Sequence, residues 1–295
     1  MDWILIMLLH SFFKGGRQIA KKKSMEKSTM AEVLFFYTLY SIVLIILMTV
    51  LKIGGNIADM SPAKIGLLTM LMIATKSFII FIAWICELRS LQKLPVGIHG
   101  ILDLARVIFC TILGVVFLQE HMGITQLLGM IIVCAGILML QRFSDSKNSI
   151  EDKFQLKYAM LALVSCFLNS ITSLMDKKLM STGLSPSSLQ FWYVLFLTPF
   201  YLLFLMVKRI HIDFRSVRKN HWIFLLALMF VLADRSLFIA NKIPESRLTI
   251  MTLIKQSSVF VTIIGGYFVF HEKGTGYKLI CASVVCIGIL ISSLL

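Results

Sequence analysis

Apolar residues gather along this chain in long stretches separated by short polar or basic loops. Ten stretches have the length of a membrane crossing: Trp3 to Ala20, Glu32 to Leu51, Ile65 to Leu88, Val96 to Leu118 and Thr125 to Leu140, then Leu156 to Met175, Ser187 to Val207, Trp222 to Ile239, Leu248 to Phe270 and Tyr277 to Leu294. About 20 helical residues cross ~30 Å of hydrocarbon. The pattern therefore predicts an all-α integral membrane protein with ten transmembrane helices. The first stretch has no basic segment ahead of it and no small-residue cleavage site, so it reads as a retained helix and not a signal peptide. Pro199 predicts a kink in the seventh. The fifth is free of charge, and the tenth carries only Lys278 at its rim.

The chain also writes one segment twice. Displaced by 152 residues, Asp103–Leu138 lies over Lys255–Leu290 with ten of 36 positions identical. Gly114 meets Gly266 and Glu120 meets Glu272. Val133, Cys134, Gly136, Ile137 and Leu138 meet Val285, Cys286, Gly288, Ile289 and Leu290. Self-similarity at half the chain length is an architectural signal. Five helices per half, an odd number, force the second half to insert upside down, so the repeat is an inverted five-plus-five. The expected division is a first five-helix repeat over residues 1–141, a polar linker over 142–154 and a second repeat over 155–295.

Composition agrees with a membrane class. Hydrophobic residues make up 58% and charged residues 15%, against about 45–50% and about 25% in soluble chains. The net charge of +14 would suggest nucleic acid in a soluble protein, but no basic stretch carries interleaved aromatics, and no nucleic-acid partner is expected. In a bilayer the same charge marks a cytoplasmic side. Loops on the side of the chain ends hold six basic residues and loops on the other side seventeen, which puts the second set in the cytoplasm. All six cysteines fall in apolar stretches without CxxC spacing, and the six histidines are scattered. No metal and no cofactor are expected.

The later copy, IKQSSVFVTIIGGYFVFHEKGTGYKLICASVVCIGILI (Ile254 to Ile291), resembles the closing helix pair of EamA-type members of the drug/metabolite transporter superfamily. ARVIFCTILGVVFLQEHMGITQLLGMIIVCAGILML (Ala105 to Leu140) resembles the equivalent pair of the first half. The family pattern is a small residue in the helix, a Glu at its end, a short turn and a Gly-bearing final helix. Here these are Gly114, Glu120 and Gly136, and Gly266, Glu272 and Gly288. Where the family commonly has a Trp-Gly pair in its first helix, Phe13–Lys14–Gly15–Gly16 stands. The resemblance implies a transporter in a cell membrane, of the bacterial inner type. It also implies that helices one to four and six to nine surround a midplane cavity, with the fifth and tenth bracing the outside. Eukaryotic relatives that carry nucleotide sugars keep both ends of the chain in the cytosol, so either orientation stands.

Six charges fall well inside the spans: Lys76, Asp103, Arg106, Asp234, Arg235 and Lys255. Each costs about 2.5–3.5 kcal/mol at mid-membrane unless it faces a partner or a wet cavity. They are the candidate substrate-binding or coupling residues, weighed against a role as salt bridges that pin helices. Asp103 and Arg106 share a helix face, and Asp103 and Lys255 are repeat mates, expected near the pseudo-two-fold axis. Asp234 and Arg235 are adjacent and must point apart. The six sum to +2, which suits an anionic or amphoteric small molecule. Asp234 is the expected proton carrier, with a bridge to Lys76 or Lys255 as its structural alternative. Lys14 and Arg17 are unusual charges in the first span. Glu120 and Glu272 are expected to order their turns by accepting backbone hydrogen bonds. His99 shares a face with Asp103. Trp84, Phe191, Tyr193 and Tyr201 are expected either to stack on a solute or to anchor helices at the interface.

No GxxxxGK[ST] motif is present. The reading is therefore a secondary, alternating-access transporter of a small organic metabolite or drug, proton-linked or exchanging. A lipid or lipid-linked carrier of the same fold is the alternative, favoured by a lateral opening between helices. A membrane-embedded enzyme is the more distant one.

Overall fold

The computed structural model describes residues 2–53, 55–62, 65–118, 123–125, 127–129, 131–132, 135–136, 139, 151–209, 212, 214–243, 251, 254–272 and 275–293. Helices α1 (Asp2–Ser24), α2 (Met30–Val50), α3 (Leu67–Lys93), α4 (Val96–Asp103) and α5 (Arg106–Leu118) belong to the first half. The second half holds α6 (Glu151–Ser181), α7 (Pro186–Val207), the short α8 (Phe214–Lys219), α9 (His221–Lys242), α10 (Ser258–Phe270) and α11 (Thr275–Ser293). Every described position from 124 to 139 is helical as well. Among the described residues there is no strand.

Six of these spans are long and apolar enough to cross a bilayer, counting α4 and α5 as one, and two shorter apolar helices, Ile254–Phe270 and Thr275–Gly288, follow. The protein is thus a multi-pass integral membrane protein. α1 has the length, 23 residues, but not the composition. His10 lies near its middle and Lys14, Arg17 and Gln18 in its second half, and all four are buried. A helix shielded by its neighbours can carry charge that a lipid-facing helix cannot.

Helix ends are set by local chemistry. Thr29 caps α2 in a reciprocal capping box with Glu32, and Ser185 caps α7 ahead of Pro186, the two most legible start signals in the chain. α7 continues through Pro199 to Val207. α6 begins at Glu151, inside the stretch expected as linker. It also runs past the expected end at Met175 as far as Ser181, so Asp176 is a membrane residue and not a loop residue. The remaining linker positions, 142–150, and the turn at Glu120 lie outside the described residues.

The core has two main parts. One joins α2, α3, α7 and α9 around Tyr37, Trp84, Tyr193, Tyr201 and Phe230. The other joins α4, α5, α10 and α11 around Ile101, Val259, Cys281 and Val285. α1 lies between them, packed on both α9 and α10. Gly15 makes that crossing possible, since a Cβ there would stand 2.5 Å from Val261 Cβ. Small residues at membrane-helix crossings let backbones approach closely.

The repeat shows most clearly in its defects. Between α4 and α5 the backbone tightens, with Ala105 N–H donating to Leu102 O at 3.0 Å. Displaced by 152 residues, Ser257 N–H donates to Ile254 O at 3.1 Å. Both halves step from α- to 3₁₀-type bonding at one repeat position, just after the mates Asp103 and Lys255. A mid-helix 3₁₀ step of this kind frees backbone groups and marks a hinge.

Candidate functional site

The charged residues of α1 face the two repeat-related steps. Lys14 Nζ lies 2.6 Å from Asp103 Oδ2, and Arg106 Nη2 lies 2.8 Å from Asp103 Oδ1. Lys14 also donates to Gln256 Oε1 at 3.3 Å. Cys166 Sγ stands 3.7 Å from Asp103 Oδ1. One carboxylate is thus shared by two cations, and all three residues are under 8% exposed. The sequence placed Asp103 opposite Lys255. The structure gives Asp103 to Lys14 instead, because the crossing at Gly15 carries α1 between the two halves. Among the described residues Lys255 has no ion-pair partner.

A second chain of groups lies alongside. Lys76 on α3 pairs with Asp176 on α6. Its ammonium sits 4.3 Å from the ring centre of Tyr193 and 5.1 Å from that of Phe238, a cation–π seat worth most when desolvated. The Tyr193 hydroxyl donates to Asp234, whose other oxygen is 3.5 Å from Arg17. Asp234 is therefore bridged to Arg17 and to neither Lys76 nor Lys255. Arg235 points away from Asp234, as adjacency demands. It is 1% exposed and donates from Nε to Gln190 Oε1 at 2.6 Å, from Nη1 to Ile53 O at 2.6 Å and to the Ser187 hydroxyl. Its Nη2 donates to Thr49 Oγ1 of α2 at 3.5 Å; all four partners are neutral, so Arg235 ties α2, α7 and α9 together and stands apart from the other charges.

Arg106, Cys110, Ser173, Asp176, Asn241 and Lys255 line a cavity of about 40 Å³. That is room for about one water, whose share of liquid volume is ~30 Å³. Sites for organic molecules run to about 300–1,000 Å³, so the structure is closed around its charges. Toward the chain ends the closure is apolar, made by Trp3, Met7, Met251 and Leu237. Toward the opposite side it is ionic. Glu87 accepts from Lys21 at 2.8 Å and Gln18 at 2.7 Å. His99 is buried close by, with no hydrogen-bond partner at either ring nitrogen among the described residues. Glu272 is 2.7 Å from Lys278 and 3.4 Å from Lys22.

Glu272 departs from its expected role. It accepts from Val96 N–H at 2.5 Å and Gly97 N–H at 3.2 Å, the first free amides of α4. It caps a helix of the other repeat, the place a negative charge is most stabilising. Burial alone would raise the carboxyl's pKa. The Lys278 hydrogen bond and charge, with Lys22 and the Val96 amide, outweigh it and hold the carboxyl below its usual range. A depressed folded-state pKa gives stability that is complete above the ordinary carboxylate range and lost as pH falls through the folded value. Glu272→Gln is expected to lower the thermal midpoint at pH 7 by removing charged hydrogen bonds worth about 1.5–3 kcal/mol. The difference from the unmodified protein should shrink in acid. A midpoint difference that grows on acidification would contradict the assignment.

Three of the four aromatic candidates are core residues, and the fourth, Phe191, is half-buried and packs edge-on against Trp192. Trp84, Tyr193 and Tyr201 are at most 5% exposed, because they fill the core between α3, α7 and α9. Lys14, Arg17 and Asp176 join the network from outside the six charges first singled out. Lys14, Arg17 and Lys21 recur at helical spacing on one face of α1, a signal that was available. Asp176 was hidden by Lys177 and Lys178, which made it look like a loop.

The EamA-like transporter family matches this sequence twice, over residues 1–142 and 156–294. The chain belongs to the EamA-like transporter family. This EamA-like protein has no match among curated proteins. A solved structure titled only "Crystal structure of protein" resembles it with a TM-score of 0.69 and 11% identity, over 99% of this chain and 96% of that one. At that identity the likeness speaks to the fold alone. The fold is thus that of an EamA-like transporter.

Proposed function

We propose that this protein moves a small organic solute bearing a carboxylate or phosphate, anionic or amphoteric, by alternating access, linked to protons or by exchange, in a cell membrane of the bacterial inner type. One observation carries the reading. Lys255 stands on the cavity wall beside Arg106 without an ion-pair partner among the described residues. Around it Lys14, Arg17, Lys76, Arg106 and Lys255 face Asp103, Asp176 and Asp234, five cations against three anions. The surplus is +2, a field that attracts an anion into a low-dielectric site. Discontinuous helices at mid-membrane are where transporters of repeat architecture hold their cargo, and here the two steps flank Asp103 and Lys255.

Lys255 and Arg106 contact the solute in this reading, and Asp103 and Lys76 hold the cations around it. Arg235 braces the helices. Asp234 carries the coupling proton: taking one up releases Arg17 and loosens α1 from α9. Reconstituted vesicles tested with a panel of labelled carboxylates and organic phosphates, with and without a pH gradient, are expected to accumulate or exchange at least one of them. Asp234→Asn should flatten the pH dependence of that transport between about pH 6 and 8. If the variant keeps both rate and pH dependence, Asp234 carries no proton and its bridge to Arg17 is structural.

A further inference from the structure

The closure on the side opposite the chain ends is thin and charged. α1 lies along α9 and α10 but meets α3 and α4 only lightly. Two carboxylates hold that seam, each paired with a lysine of α1. Glu87 of α3 is 2.8 Å from Lys21, and Asp103 of α4 is 2.6 Å from Lys14. Lys14 and Lys21 are seven residues apart, on one face of α1. His99 lies four residues before Asp103 on the same face of α4, and Glu87 and Asp103 are the carboxylates that act most strongly on its ring. It is 3% exposed, and neither ring nitrogen has a hydrogen-bond partner among the described residues. Gln18 Oε1 on α1 and Ser90 Oγ, one turn past Glu87 on α3, are buried and unpartnered too. Buried polar groups are nearly always satisfied, so three such residues along one seam call for a second conformation that satisfies them.

We propose that His99 is a proton-binding site and that its proton opens this seam. Imidazole is the side chain that changes charge between about pH 5 and 8. The closed structure suits the uncharged ring, because a charged one would bury two N–H donors without acceptors. Each element packed on α4 contributes to what the charged ring meets. α1 brings Lys14 and Lys21, α3 brings Glu87 and α5 brings Arg106. α6 brings the Cys166 thiol to Asp103 and Tyr158 to Leu94 and Ile98, and α10 brings the neutral Thr262 against Gly100. Glu272, with Lys22 and Lys278, is already engaged at the Val96 and Gly97 amides. The charged ring therefore competes with Lys21 for Glu87 and with Lys14 for Asp103. Either contest takes a lysine of α1 off its carboxylate, and Lys21 and Arg106 add repulsion. α1 then parts from α3 and α4, and water reaches Gln18 and Ser90. The proton site needs no particular solute and stands whether or not the transport reading above holds.

The thiol of Cys110, on the cavity wall behind the seam, reports the opening in the full chain. The other five cysteines are replaced by Ser, and a membrane-impermeant thiol reagent is applied to oriented vesicles from the face opposite the chain ends. Each rate is divided by that of His99→Gln at the same pH, which cancels the pH dependence of the thiol itself. The ratio is expected to rise at least about ten-fold from about pH 8 to about pH 6, as uptake of one proton allows. Glu87→Gln, with His99 in place, should react faster than the unmodified chain at the higher pH and lose most of the rise. That variant tests the site even where His99→Gln fails to fold. Asp234→Asn should keep the rise, because Asp234 holds α1 through Arg17 and not at this seam. A flat ratio, a Glu87→Gln chain as slow as the unmodified one at the higher pH, or loss of the rise in Asp234→Asn would overturn the site.

Discussion

Asp103→Asn is expected to destabilise the folded protein by about 3–5 kcal/mol, the usual cost of removing one partner from a buried ion pair. The side chain sits between Lys14 and Arg106 at 2.6 and 2.8 Å. An amide of the same shape leaves two cations against one neutral group in a low-dielectric interior. The thermal midpoint should fall by about 5–10 °C. Lys14→Gln in the same chain removes one stranded cation and is expected to restore most of the loss, a coupling read directly by a double-mutant cycle. If Asp103→Asn melts with the unmodified protein, the carboxylate does not hold these cations.

Lys255→Met is expected to behave in the opposite way. Lys255 is the repeat mate of Asp103 but shares no ion pair with it, and among the described residues it has no other. Removing a lone, half-buried charge inside the membrane relieves desolvation cost, so the midpoint should hold or rise. Transport of an anionic solute should fall about ten- to hundred-fold, the worth of one charge-assisted contact. Transport at the unmodified rate would take Lys255 out of the solute's path and leave it a spectator on the cavity wall.

The repeat, the membrane class and the family were legible because they rest on periodicity and on positions such as Gly266, Glu272 and Gly288, which report local chain geometry. The charge pairs were only half legible. Sequence displacement paired Asp103 with Lys255, yet partners are chosen by helix crossings, and nothing local says that Gly15 admits α10 and so carries Lys14 to Asp103. Arg235 was found as an intramembrane charge, but its neutral partners Gln190, Ser187 and Ile53 O come from α7 and from the turn that follows α2. The 3₁₀ steps at Ala105 and Ser257 carry no Pro or Gly at the step, so no breaker announced them. Asp176 was lost to a boundary error of six residues, the difference between Met175 and Ser181 as the end of α6.

Alternating access around the central cavity is tested most directly at Cys110, a native thiol on the cavity wall. With the other five cysteines replaced by Ser, oriented vesicles are treated from either face with membrane-impermeant thiol reagents. The account predicts modification from both faces, by an anionic reagent faster than by a cationic one, as the surplus positive charge requires. Modification from one face alone, under every gradient imposed, would contradict it.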